Sequence, residues 1–115
     1  MRRAISRRDV AMGAAVLTVA PVAATFPALA GGPDVHSIAI KSFAFLPATV
    51  RAKVGDTLRW TNADLAPHTA TADNFGWDTG ELATGQAFEI VVTAEMETRY
   101  FCVFHPHMTG QIEVI

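Results

Sequence analysis

From Asp34 onward, apolar residues recur at every second position in short runs. Ile38 and Ile40 alternate with Ser37, Ala39 and Lys41. Val50, Ala52 and Val54 alternate with Arg51 and Lys53, and Leu58 and Trp60 with Thr57, Arg59 and Thr61. Phe88, Ile90 and Val92 repeat the pattern, as do Ile112 and Val114. A period of two turns one face of a strand to a core and the other to water. Turn-forming residues separate the runs: Pro47, Gly55-Asp56, Asn62 to Pro67, Gly76 to Gly85, and Gly110, after which Ile112 is expected to begin a returning strand. No window carries a 3.6-residue period. The pattern predicts an all-β Greek-key sandwich or barrel of about 7–8 short strands. Asn74 to Gly85, with Trp77 and Leu82 as apolar anchors, reads as a packed surface loop.

The pattern breaks before Asp34. Arg2, Arg3, Arg7, Arg8 and Asp9 form a charged head, followed by an Ala/Val-rich stretch from Val10 to Ala30 that carries no charge. It ends in Ala28-Leu29-Ala30, an A-x-A sequence suited to cleavage after Ala30. This is the layout of a secretory signal over residues 1–30, with a domain over residues 31–115. A retained anchor is the alternative; the alanine content, Pro21 and Pro27 weigh against it. Ser6-Arg7-Arg8-Asp9-Val10 also resembles the twin-arginine export signal, with Val10 where that signal favours phenylalanine, and the resemblance implies export after folding. The expected location is the periplasm, with no membrane contact once the signal is removed.

Composition sharpens this picture at two points. Four arginines and one aspartate leave with residues 1–30, so the remaining 85 residues hold five basic and ten acidic side chains, a formal charge of −5. No basic patch remains, which excludes nucleic acid as a partner, and the length excludes a multidomain enzyme. There is one cysteine, Cys102. An exported chain with a single thiol has no internal disulfide, so the thiol is reactive, paired with another chain, or bound to metal.

The third option has support around it. Cys102-Val103-Phe104-His105-Pro106-His107-Met108 places a thiol, an imidazole and a thioether at three-residue intervals, and His68 follows Pro67 upstream. One thiolate, two imidazoles and a weak thioether are the donor set of a type 1 copper site. Such a set serves both Cu(I) and Cu(II) with little rearrangement. Tyr100 and Cys102 fall on one face of a strand, and a tight turn through Phe104 and Pro106 returns His105 and Met108 toward the same point. Taken singly, Cys102 and Met108 are ordinary core fillers, and His68 and His105 ordinary loop residues; together in one exported β domain they are expected to form a site. His107 is expected on the surface, pointing away from its ligand neighbours, and His36 as a plain surface residue.

These segments resemble the cupredoxins, chiefly the amicyanin and pseudoazurin branch. The resemblance spans residues 31–115. It rests on Phe45-Leu46-Pro47, on Val54 to Asn62, on Pro67-His68-Thr69, on Gly80 to Gly85, and on Tyr100-Phe101-Cys102 to Gly110 with its short Cys-x-x-His-x-x-Met loop. The family implies His68, Cys102 and His105 as strong copper ligands and Met108 as the weak axial ligand. It also implies a soluble, monomeric carrier of single electrons rather than an enzyme. A dehydrogenase would be the donor and a cytochrome c-type protein the acceptor, docking on an apolar surface around His105 to which Pro67, Phe104 and Pro106 contribute. Copper delivery without a redox partner is the alternative. Delivery proteins are rich in exposed Met and His, and only Met96 and Met108 occur after residue 30. A zinc site is chemically possible, but a thioether donor favours copper. Three positions depart from the family. Thr69 replaces an asparagine. His107 replaces a large apolar residue beside the surface. Glu95-Met96-Glu97 stands where relatives carry a Pro-Gly turn.

Overall fold

A computed structural model describes residues 32–115. The expected signal segment, residues 1–30, lies outside the described residues. Pro33–Ile115 forms one compact unit. Its eight strands are β1 (Val35–Lys41), β2 (Ala44–Leu46), β3 (Thr49–Ala52), β4 (Thr57–Asn62), β5 (Thr71–Ala72), β6 (Ala87–Val91), β7 (Arg99–Cys102) and β8 (His105–Val114). They make two four-stranded sheets, in the order β2-β1-β4-β6 and β3-β8-β7-β5. The chain crosses between the sheets at β3, β4, β5, β6 and β7, so the two layers are built together. Each sheet mixes one parallel pair, β1 with β4 or β3 with β8, with antiparallel neighbours.

The alternation does what the sequence pattern requires. Ile38 and Ile40 of β1, Leu58 and Trp60 of β4, Val50 and Ala52 of β3, and Tyr100 and Cys102 of β7 are all buried and meet in one core. Each fully buried large apolar side chain is worth about 1.5–3 kcal/mol relative to exposure. Trp60, Tyr100 and Trp77 pack as an aromatic cluster at the centre, with ring centroids 5.3–5.5 Å apart.

Three expectations need correction. Val54 is 56% exposed and lies beyond β3, in the turn that Gly55 (φ 98°) allows. Its place on the alternating face is therefore lost to turn geometry. Phe88 shares the inward side with its partner Trp60. It nevertheless remains 42% exposed because β6 is an edge strand. Gly110 makes no turn. The returning strand begins at His105, not Ile112, and Gly110 lies within it, opposite Tyr100. A Cβ at Gly110 would collide with the Tyr100 ring, so the glycine is there for close approach.

Candidate metal centre

One end of the sandwich gathers the expected donors. Asn62, at the end of β4, is fully buried and organises the chain that follows it. Its side-chain amide donates to the carbonyls of Ala66 (2.9 Å) and Leu82 (2.8 Å), and its side-chain oxygen accepts from the Asp64 amide (2.8 Å). His68 exchanges backbone hydrogen bonds with Leu82, at 3.2 and 2.8 Å. The loop 62–68 is thereby fixed at both ends, and the His68 side chain is fully buried.

The other donors come from the β7–β8 hairpin. Cys102 ends β7 and pairs with His105 at the start of β8. The next pair along is Phe101 with Thr109. One step on β7 thus answers four on β8, and Pro106, His107 and Met108 leave the ladder. Irregularities of this kind re-aim side chains beside functional sites. Met108 is buried at 2% exposure, His105 is half-buried, and His107 is exposed.

The structure brings three of the four expected ligands together directly. The Cys102 Sγ lies 3.6 Å from His68 Nδ1 and 3.7 Å from His105 Nδ1. The three donor atoms all lie within 4.8 Å of one another. Donors at about 2.0–2.3 Å from a shared ion stand this far apart, so the set fits a soft metal with nitrogen and sulfur preference. Met108, the fourth, packs in the core with Cys102. His36 is not the plain surface residue expected of it. Its Nε2 lies 2.9 Å from an oxygen of Asp56, whose carboxylate is buried at the far end of β4.

The surroundings hold the donors in place. His68 keeps Nδ1 toward the sulfur because Nε2 meets Asp64 Oδ2 at 2.9 Å. Asp64 in turn accepts the backbone amides of Ser42 (2.7 Å) and Phe43 (2.9 Å). The Phe43 amide does most to hold its carboxyl below the usual range, with Ser42 and His68 adding to it against the opposing effect of burial. Thr69, noted above only as a departure, takes a defined part. Its amide donates to Cys102 Sγ (3.4 Å), and its hydroxyl accepts the Val103 amide (3.0 Å). Thr71 spends its hydroxyl proton on Asp78 Oδ1 (2.8 Å), so the 2.9 Å contact between the hydroxyls is a donation from Thr69 to Thr71. The relay from Val103 through Thr69 and Thr71 to Asp78 ties the ligand hairpin to β5. Sequence reasoning missed Asn62 and Asp64. The signal for Asp64 was its place four residues before His68.

No family model matches the chain. An amicyanin of Paracoccus versutus is 32% identical over 86 residues, which cover 70% of this chain; the chain spans 65% of that relative's length. Among solved structures, a purple cupredoxin from Nitrosopumilus maritimus superposes with a TM-score of 0.62 at 29% identity, covering 70% of this chain and 99% of the other. An amicyanin variant in its Cu(I) form superposes with the same TM-score and identity, over 70% of this chain and 82% of the other.

Proposed function

We propose that the chain is a cupredoxin on the amicyanin side of that family, that His68, Cys102, His105 and Met108 hold one copper ion, and that the protein carries single electrons between exported redox proteins. The observation that carries the reading is the approach of Cys102 Sγ to one ring nitrogen from each histidine, at 3.6 and 3.7 Å. Copper bound there supplies one-electron redox chemistry.

The chain's own part is to fix the donors and keep water away. His68 is oriented by Asp64, the Cys102 sulfur accepts the Thr69 amide, and the hairpin is pinned through Val103. Donors held this way move little between oxidation states. Burial of His68, Cys102 and Met108 favours a carrier over a delivery protein, because handing over an ion requires ligands a recipient can reach. Half-buried His105 is the one donor of the four with access to the surface, and exposed Phe104 and Pro106 flank it, with Pro67 on the neighbouring loop. A dehydrogenase donor and a cytochrome c-type acceptor would dock on this apolar surface, with the protein acting as a monomer. Residues 1–30 act as a cleaved export signal, which makes the periplasm the working compartment.

Titration of the full-length protein with Cu(II) tests the assignment. An intense visible thiolate-to-copper band is expected in the parent. It should vanish in Cys102→Ser while the far-ultraviolet circular dichroism of the sandwich persists. A band that survives in Cys102→Ser would rule the thiol out as a ligand.

A further inference from the structure

Lys41 pairs with Ala44, so Ser42 and Phe43 form a two-residue hairpin loop between β1 and β2. Both have positive φ, 54° and 58°. Such loops favour Asn-Gly or Asp-Gly, since a side chain at positive φ is disfavoured. A bulky aromatic is a poor choice for this turn on local grounds, and it leaves a ring 47% exposed.

The cost is sustained by what surrounds it. Both loop amides donate to Asp64, the carboxylate that also orients His68. The Phe43 ring meets two imidazoles nearly at right angles, with its centroid 5.1 Å from that of His68 and 4.7 Å from that of His105. Phe43 is thus the one side chain of the hairpin loop that touches both candidate histidine ligands while presenting a face to solvent. Backbone strain of this kind is retained where surrounding structure serves a function.

We propose that Phe43 is a positioning residue of the electron port: it covers the two imidazoles edge-on and keeps water from them where His105 nears the surface. This rests on the copper reading. The probe is a second copy of the protein. In self-exchange a Cu(I) protein loses one electron and a Cu(II) protein gains it, so the reaction balances without any other reagent.

The test compares the parent with Phe43→Gly and Phe43→Tyr. Glycine suits the turn, so the metal-free Phe43→Gly protein should keep a thermal midpoint within a few degrees of the parent. Ring-current shifts on the His68 and His105 ring protons, read by NMR in the metal-free proteins, should disappear in Phe43→Gly and return in Phe43→Tyr. With copper bound, the visible band should persist in all three. The self-exchange rate of Phe43→Gly should fall roughly tenfold, the rate equivalent of about 1.4 kcal/mol, and Phe43→Tyr should restore it. The reduction potential of Phe43→Gly should also fall, because water then approaches the site and favours the more highly charged oxidised state. An unchanged rate and potential in a Phe43→Gly protein that keeps the band would overturn the proposal alone. A collapsed midpoint in Phe43→Gly would overturn it in favour of a purely structural ring. A parent that gives no band with Cu(II) would overturn the copper reading and this inference together.

Discussion

Asp64 joins two loops to one ligand. A single carboxylate accepts from Ser42, Phe43 and His68, so His68 cannot rotate without breaking a bond that also shapes the β1–β2 turn. Partners of this type hold the ring orientation and donor strength of a metal-bound histidine, and their loss costs about 10–100-fold in affinity. Asp64→Ala should therefore weaken Cu(I) binding by about that factor in a competition titration with a chelator. Thr69→Val should do less, since the Thr69 amide that meets Cys102 Sγ is retained. The meeting of His68, Cys102 and His105 was legible in the sequence because their residue types are rare, Cys102 and His105 lie three residues apart, and His68 follows a proline. Asp64 and Asn62 were not. Aspartate and asparagine are common in turns, and their roles depend on where Ala66, Leu82 and the Ser42-Phe43 loop come to rest. Leu82 lies 20 residues from Asn62, and Ser42 and Phe43 lie 22 and 21 from Asp64, so these approaches are set by the tertiary fold.

At the level of elements, β7 and β8 carry most of the site, and their packing depends on a missing side chain. Tyr100 lies fully buried between the aromatic rings of Phe45, Trp60 and Trp77, and burial pushes its hydroxyl up to about 12. Its ring passes directly over Gly110 on the partner strand. Gly110→Ala should destabilise the protein by about 1–3 kcal/mol, the usual range for an overpacked core. The midpoint of urea unfolding, followed by tryptophan fluorescence, reports it. A neutral result would mean that the Tyr100 ring has room to shift. The alternation of Ile38 and Ile40, or of Leu58 and Trp60, is strong enough to read from the chain alone. The start of β8 is not, because His105 to Thr109 alternates poorly and Gly110 carries the ordinary signal of a turn. Only the pairing of Tyr100 with Gly110 shows that the glycine makes room for a ring. Glu95-Met96-Glu97 likewise concealed its part: the Glu97 carboxylate accepts the Asn74 and Gly76 amides (2.6 and 2.8 Å), clamping the loop after β5 to the turn before β7.

On the scale of the whole domain, the sandwich has two functionally separate ends. β1 and β4 run parallel in register, from Val35 opposite Thr57 to Ile40 opposite Asn62. The site gathers beyond Asn62, while Asp56 lies just before Thr57, about 17 Å of strand away. There a single buried carboxylate accepts the amides of Asp34 (3.0 Å) and Lys53 (2.9 Å) and meets His36 Nε2 at 2.9 Å. These bonds, the Asp34 amide foremost, hold the Asp56 carboxyl well below the usual carboxylate range, with Lys53 adding a favourable charge and burial opposing. The sign of the linkage follows. A carboxyl whose folded pKa is depressed binds protons more readily in the unfolded chain. Its stabilisation is complete above the unfolded value of about 4 and is lost as pH falls below it. Denaturant midpoints taken from pH 7 down to pH 3 should accordingly decline at the acid end for the parent. Asp56→Ala should start lower at pH 7 and decline less steeply. Asp64 is present in both proteins, so the difference between the two profiles isolates Asp56. Because the two ends share only strands and core, folded Asp56→Ala should bind Cu(II) at pH 7 with the parent's visible band. A folded variant that loses the band would show that the end holding Asp34, His36 and Asp56 shapes the metal centre after all, through the register of β1 on β4.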